Sequence, residues 1–176
     1  ITQGGCASRP GMAYTNILSR MLNVEFVNLG FSGNGRGEAE VARAIATVDE
    51  PSLLVLDYEA NSGGYEGMER TLERFVDILR EHHPSVPLLV ISKITYAACV
   101  ENPSAWDQQR RVRDFQRHAV ERRRTAGDSA IFFHDGTTLL GEDFFECTVD
   151  GAHPTDLGFS RMARGLEPVF RRILRL

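Results

Sequence analysis

The sequence predicts an α/β fold in which helices pack on a short, mostly parallel sheet. Short apolar runs such as 53–56 and 88–91 alternate with stretches of helical period, which is the pattern of βαβ units. The chain has 176 residues, of which 42% are hydrophobic, so it is long enough to bury one core as a single domain. We therefore expect a three-layer αβα sandwich of flavodoxin-like type.

Two helices and one strand are predicted in the first part of the chain. The stretch 12–22 is predicted to be a helix because its apolar residues recur three or four positions apart, and 25–29 is a short apolar run typical of a strand. The glycine-rich stretch 30–37 then interrupts regular structure. A helix at 38–48 follows, with acidic residues in its first turn, where they interact favourably with the helix dipole.

Strands and helices alternate in the rest of the chain. Strands are predicted at 52–58, 88–92 and 130–134, and helices at 68–83, 106–125 and 155–174. The helix at 106–125 is highly charged, so we expect it at the surface, and Thr155 is a candidate cap for the last helix. Ligands of open α/β folds bind at the carboxyl ends of the strands, which points to the loops 30–37, 58–67, 93–103 and 134–154.

Composition and charge exclude two classes of protein. No apolar run approaches the roughly 20 residues that cross a bilayer, so neither a membrane span nor a membrane partner is predicted. The net charge of -4 argues against a nucleic-acid partner, because such domains carry a basic excess. The arginine clusters at 110–113 and 122–124 lie beside acidic residues and are interpreted as a solvated helix face, with a phosphate-binding face as the alternative.

An aspartate and a histidine three residues apart, Asp150 and His153, precede the last predicted helix. A turn of this spacing can bring the carboxylate to the imidazole Nδ1–H, which leaves Nε2 free as a general base. In the alternative interpretation Asp150 only caps a turn and His153 is a surface residue.

Gly33 and Asn61 follow predicted strands and could donate a backbone N–H and a side-chain amide to an oxyanion, or could be ordinary loop residues.

Three blocks of the sequence stand out: LGFSGNG at 29–35, DYEAN at 57–61 and DGAHPTDLGF at 150–159. They resemble, in this order, the second, third and fifth blocks of the SGNH (GDSL-type) hydrolases. The third block departs from the commoner Gly-x-Asn-Asp form and is similar to that of a GDSL-like bacterial subgroup of esterases and acyltransferases. The resemblance implies the SGNH hydrolase fold and ester chemistry without a cofactor. It implies that His153 is the base, that Asp150 orients it, and that Gly33 and Asn61 form the oxyanion hole.

The family's nucleophilic serine has no counterpart inside the chain. Ile1-Thr2-Gln3-Gly4 resembles the residues that follow this serine at the end of the first strand. We therefore expect the serine directly before Ile1, and residues 1–176 to be one SGNH domain in the C-terminal part of a longer chain. Members of this subgroup can also carry an upstream β-sandwich domain. Three internal serines lie near the predicted site loops, but none is in the required strand-to-helix elbow: Ser8, Ser32 and Ser62. Cys6 is interpreted as a loop cysteine, because no second histidine is placed to activate it.

Rival interpretations rest on weaker patterns. The stretch 33–37 follows a strand and opens a helix, as in dinucleotide-binding loops, but Glu38 at the helix start would repel a pyrophosphate. No metal is predicted, because no cysteine pair has ligand spacing and the histidines at 82, 83 and 118 lack spaced carboxylate or thiol partners. His134 follows the last strand and is interpreted as a hydrogen-bonded structural histidine, with a place in the cleft as the alternative. A binding domain without catalysis, which keeps the oxyanion pocket, is a further alternative.

The expected substrate is a small-molecule acyl ester. The predicted site loops carry polar residues, Asn34, Arg36, Glu59 and Asn61, which suit a small or sugar-borne acyl group better than a lipid chain. Acetyl esters on carbohydrate are therefore favoured, and acyl transfer to another alcohol remains the alternative because it uses the same residues. The oligomeric state and the compartment stay open, with the cytoplasm slightly favoured for a soluble bacterial protein.

Overall fold

The computed structural model describes residues 1–176, which form six α-helices and three β-strands. The helices are α1 (Tyr14–Leu22), α2 (Ala39–Ala46), α3 (Gly64–His82), α4 (Ala98–Glu101), α5 (Pro103–Thr125) and α6 (Asp156–Leu174). The strands are β1 (Leu54–Leu56), β2 (Leu88–Ile91) and β3 (Ile131–His134). None of the helices combines the length and the apolar character that spanning a membrane requires.

The three strands form one parallel sheet in the order β1-β2-β3. Leu88 of β2 lies opposite Leu54 of β1 and Ile131 of β3, so the two neighbouring strands start level with each other. All four residues of β2 are buried, as expected for the central strand of a parallel sheet. The predicted α/β class with a short parallel sheet is confirmed.

The chain divides into two compact units. The sheet unit comprises Asn34–Lys93 and Asp107–Asp135, and it contains the three strands with α2, α3 and α5. The helical unit comprises Ile1–Gly33, Ile94–Trp106 and Gly136–Leu176, and it contains α1, α4 and α6.

Apolar side chains from the strands and all three helices form the core of the sheet unit. On α3 the buried residues recur three or four positions apart, which is the spacing of one helix face. Leu72 and Leu79 of this face pack with Leu88 of β2 and with Val112 and Val120 of α5 in one cluster. One face of the charged helix α5 is therefore apolar and covers the core of this unit.

The core of the helical unit lies between α1 and α6, which pack against each other. Leu18 of α1 and Phe159, Leu166 and Phe170 of α6 are buried. Phe26, in the segment after α1, stacks on Phe170 with 5.7 Å between the ring centroids. The predicted cap of α6 is also present, because the Thr155 hydroxyl accepts a hydrogen bond from the Gly158 N–H at 3.4 Å.

Residues 25–29 form no strand, so this part of the sequence prediction is wrong. A strand needs backbone hydrogen bonds to a neighbour, and the sheet pairs only β1, β2 and β3. The Asn28 side chain holds the segment instead. Its amide nitrogen donates to the Thr2 carbonyl at 2.7 Å and to the Thr15 hydroxyl at 2.9 Å, and its oxygen accepts from the Gly30 N–H at 2.8 Å.

Several element boundaries differ from the prediction by a few residues, and the starts of two helices and one loop differ for identifiable reasons. α3 begins at Gly64 and not at residue 68. Its first turn contains two glycines, a residue type that usually interrupts helices, and this is why the predicted start is too late. α5 begins at Pro103 instead of residue 106, since proline is well suited to the first turn of a helix. The stretch 93–103, predicted as a loop, contains the short helix α4.

The arginine clusters of α5 are paired with acidic side chains of the sheet unit. Arg122 lies 3.1 Å from Glu73, and Arg123 lies 2.5 Å from both Glu73 and Asp77. The Arg111 guanidinium lies 3.8 Å from the centre of the Tyr65 ring. These contacts agree with the interpretation of the clusters as a solvated, ion-paired helix face.

Arg80 is predicted to be the most important ion-pairing residue for the stability of the sheet unit. Its guanidinium makes two hydrogen bonds to Asp128, at 2.8 and 3.1 Å, and donates to the Val86 carbonyl at 2.6 Å. The two side chains are only 13% and 17% exposed. Arg80→Ala strands a half-buried carboxylate, so we expect a loss of about 3 kcal/mol in the free energy of unfolding, measured by denaturant titration.

The matched control is Arg43→Ala. Arg43 pairs with Glu40 at 3.2 Å, but these side chains are 55% and 80% exposed. Because both charges remain solvated, removing this pair should leave the free energy of unfolding almost unchanged. Equal losses for the two variants would contradict the assignment of Arg80.

Candidate active site

His153 and Asp150 are in direct contact within the helical unit. The imidazole Nδ1 lies 2.8 Å from Oδ2 of Asp150. The other carboxylate oxygen, Oδ1, accepts the backbone N–H groups of His153 at 2.8 Å and of Ala152 at 3.0 Å. The aspartate thus caps the turn and also contacts the imidazole, so the contact that each interpretation requires is present.

The loop that carries this pair is closed at its base by backbone hydrogen bonds. The Val149 N–H donates to the His153 carbonyl at 2.8 Å, and the Thr155 N–H donates to the Cys147 carbonyl at 2.8 Å. Gly151 in the loop has a φ of +82°, and a Cβ there would lie 2.7 Å from Cβ of Ala97. Only glycine fits this position. Any other residue would have a strained backbone, and its side chain would collide with Ala97, which directly precedes α4.

Hydrogen bonds keep Asp150 ionised at a lower pH than an ordinary aspartate. The backbone N–H of His153, the His153 imidazole and the N–H of Ala152 lower the pKa of Asp150 to about 2. An ionised carboxylate can only accept hydrogen bonds, so the proton between the two side chains belongs to Nδ1 of His153. Nε2 of a neutral imidazole then carries the lone pair and can act as a base.

The pair is accessible from solvent. The side chains of His153 and Asp150 are 53% and 54% exposed. A histidine that is oriented on one nitrogen and open on the other can take a proton from a nucleophile and return it to a leaving group.

Gly33, the proposed backbone donor, also belongs to the helical unit. It lies in an exposed turn with a φ of +65°, a conformation that glycine adopts without strain. A Cβ at this position would meet no atom within 4 Å. The backbone at Gly33 is therefore open to a bound group.

Asn61, the proposed side-chain donor, belongs to the sheet unit. It ends a 3-10 turn, Glu59–Asn61, that follows β1, and its backbone N–H donates to the Tyr58 carbonyl at 3.1 Å. Asn61 is half-buried, and no hydrogen bond of its side-chain amide is formed within the protein. An amide in this position can donate to a ligand without giving up an internal bond.

Glu59, at the start of the same turn, is predicted from the sequence to be a polar residue of the site surface, but it is buried in the structure. It is only 5% exposed. Its Oε2 accepts the Lys93 N–H at 2.8 Å and the Gln116 amide at 2.6 Å. Burial raises the pKa of Glu59, and these two donors oppose the rise. Glu59 is therefore a structural carboxylate and does not add to the polar surface of the site.

Gln116 and Gln109 of α5 are buried polar residues that were not predicted from the sequence. They are 1% and 3% exposed, and Gln109 donates to the Lys93 carbonyl at 3.1 Å. The signal that could have found them is their spacing of seven residues. This spacing places two amides two turns apart on the apolar face of an otherwise charged helix.

Two of the internal serines, Ser8 and Ser62, have other partners. The Ser8 hydroxyl and N–H donate to Asp156 at the start of α6, at 2.5 and 2.8 Å. Ser62 is buried and its hydroxyl donates to the Glu59 carbonyl at 2.9 Å. Two of the remaining histidines contact backbone carbonyls of the sheet unit: His82 lies 3.3 Å from the Ile78 carbonyl oxygen and His83 lies 3.1 Å from that of Ala46. These side chains serve local structure.

Comparison with known proteins supplies a family match. The model of the GDSL-like Lipase/Acylhydrolase family matches residues 1–171. A protein from Bacteroides ovatus ATCC 8483, assigned as a GDSL-like lipase, is 37% identical with a TM-score of 0.89, over 96% of this chain and 49% of that chain. No curated protein matches the chain.

Two other solved structures share the fold at lower identity. The salicylyl-acyltransferase SsfX3 from a tetracycline biosynthetic pathway is 23% identical with a TM-score of 0.81, over 99% of this chain and 51% of that one. A carbohydrate acetylesterase family member from Sinorhizobium meliloti is 20% identical with a TM-score of 0.74, over 99% and 92% of the two chains. The chain spans about half the length of the Bacteroides protein and of SsfX3.

The hydrogen bonds of the loop predict an unusual titration of Asp150. In a carboxyl-detected NMR titration we expect its pKa at about 2, against an ordinary value of 3.8. His153→Ala removes the imidazole but keeps both backbone donors, so the pKa should remain below the ordinary value. Because the folded pKa is below the unfolded one, this group stabilises the fold above about pH 4, and the contribution is lost as the pH falls toward 2. An ordinary pKa in the unmodified protein would contradict the loop geometry.

Proposed function

Since the chain belongs to the GDSL-like lipase/acylhydrolase family, we propose that it is a serine esterase that hydrolyses small acyl esters. The single observation that carries the proposal is the 2.8 Å contact between His153 Nδ1 and Asp150 Oδ2, which leaves Nε2 as an accessible base. Esters of acetate on carbohydrate are the proposed substrate class. Exposed Asn34 and Arg36 favour a polar substrate over a lipid chain.

Each residue has one role in the proposed reaction. A serine oxygen attacks the ester carbonyl while His153 takes the serine proton. Asp150 stabilises the imidazolium that forms, and the Gly33 N–H and the Asn61 amide donate to the oxyanion. His153 then gives the proton to the leaving alcohol. A water molecule next attacks the carbonyl of the acyl-serine and gives a proton to His153, and the acid is released as the serine takes this proton back. No cofactor takes part in these steps.

The nucleophile is proposed to be a serine directly before Ile1. Ile1-Thr2-Gln3-Gly4 resembles the stretch that follows this serine in the family, and Thr2 is held by Asn28, which directly precedes the block 29–35. Ile1, Gly33 and His153 all belong to the helical unit. These observations support the proposed position.

The nucleophile and the base are tested together in the full-length natural protein. We expect a serine-reactive organophosphonate to add to the serine before Ile1, detected by peptide mass mapping, and we expect hydrolysis of p-nitrophenyl acetate. His153→Ala should abolish the labelling and lower kcat by at least about a thousandfold. The control is His118→Ala, since His118 is exposed on α5 and has no role in the proposal. A folded protein that takes up no label would rule out the esterase.

The oxyanion role of Asn61 is tested separately. Removing one oxyanion donor costs on the order of 3 kcal/mol, so Asn61→Ala should lower kcat by roughly a hundredfold with little change in KM. Asn61→Asp should be at least as slow, because a carboxylate repels the oxyanion. The matched control is Gln108→Ala, which removes an exposed amide from α5 of the same unit. An unchanged kcat in both Asn61 variants would remove this residue from the site.

A further inference from the structure

A buried polar network lies at the end of the central strand, within the sheet unit. β2 ends at Ile91, so the backbone of Lys93 no longer takes part in the sheet. Glu59 accepts the Lys93 N–H at 2.8 Å, and Gln109 donates to the Lys93 carbonyl at 3.1 Å. Gln116 completes the network by donating to Glu59 at 2.6 Å. Both backbone groups of Lys93 are thus satisfied by buried side chains.

A carboxylate is an expensive choice for this position. Glu59 is 5% exposed, and burying a charge costs free energy unless hydrogen bonds compensate it. An apolar residue could fill the volume, although it would leave the Lys93 N–H and the Gln116 amide without an acceptor. The network therefore uses a costly residue to tie the loop after β1 to the end of β2 and to α5.

The same loop carries Asn61. Glu59 begins the 3-10 turn that Asn61 ends, and Ser62 closes the turn by donating from its N–H and its hydroxyl to the Glu59 carbonyl at 3.1 and 2.9 Å. On the other side the turn abuts α3. A Cβ on Gly67 would lie 1.7 Å from the Ser62 carbonyl oxygen, so only glycine permits this approach. The position of Asn61 thus depends on where Glu59 is anchored.

We propose that Glu59 is a positioning residue that, through its bonds to Lys93 and Gln116, holds the Asn61 amide where it donates to the oxyanion. This inference rests on the proposed function and extends it to residues that do not touch the substrate. Because one oxygen, Oε2, accepts both donors, the role requires an acceptor at the reach of a glutamate and not the negative charge itself.

The chemistry predicts an order among three variants. Glu59→Gln keeps one oxygen at the same reach and should retain most of the kcat. Glu59→Asp is one methylene shorter and cannot reach both donors, so its kcat should fall by about tenfold or more with little change in KM. Gln116→Met preserves the side-chain volume and removes one donor, so it should lower kcat in the same direction by a smaller factor.

A double-mutant cycle separates positioning from general stability. In full-length protein that carries Asn61→Ala, Glu59→Asp should have little further effect on kcat, because the group that it positions is already absent. Melting temperatures of all variants are measured in parallel, and kcat is determined well below them. If Glu59→Asp does not fold, Gln116→Met is taken through the same cycle.

The outcomes distinguish this inference from the proposed function. A loss of kcat that is the same with and without Asn61 overturns the positioning role and leaves the esterase intact. An unchanged kcat in Glu59→Asp or a Glu59→Gln variant as slow as Glu59→Asp also overturns it. If Asn61→Ala itself has normal kcat, the oxyanion assignment and this inference fail together. A nonadditive loss confined to kcat supports the role of Glu59.

Discussion

The central constraint on the sheet unit is that three short parallel strands end at one edge, where backbone groups leave the sheet and need new partners. The Ser92 N–H still bonds to the His134 carbonyl at 3.1 Å, which extends the pairing of β2 with β3 by one step. At Lys93 the backbone groups bond to side chains instead of to a neighbouring strand: the N–H donates to Glu59, and the carbonyl accepts from Gln109. The loop after β1 is therefore fastened to β2 at the point where a ligand site is expected in an open α/β fold.

The His153 loop follows a different principle, because its geometry is almost entirely local. Asp150 bonds to groups two and three residues ahead of it, and the loop closes on itself between Val149 and His153. Such a loop needs little from the rest of the protein to place an aspartate against an imidazole. It depends on other segments chiefly where Gly151 approaches Ala97.

These two ways of building a site differ in energetic cost. The Asp150 carboxylate is solvated and bonded to three N–H donors, so its charged form is favoured and its pKa is low. The Glu59 carboxylate is buried, and its pKa is raised in spite of its two donors. Burial of Glu59 therefore costs stability, while its hydrogen bonds define the course of the loop.

The sequence alone determined the α/β class, the order of most elements and the Asp150–His153 pair. These depend on short-range properties, namely the period of apolar residues and the reach of an aspartate over three positions. The resemblance of the three sequence blocks added Gly33 and Asn61 as candidates.

The tertiary structure decided the features that a local sequence pattern cannot encode. Residues 25–29 have strand-like composition but no pairing partner, and Glu59 looks like a polar loop residue although it is buried against Gln116. Strand pairing and side-chain burial depend on which distant segments of the chain come together. A local sequence pattern does not show which segments these are.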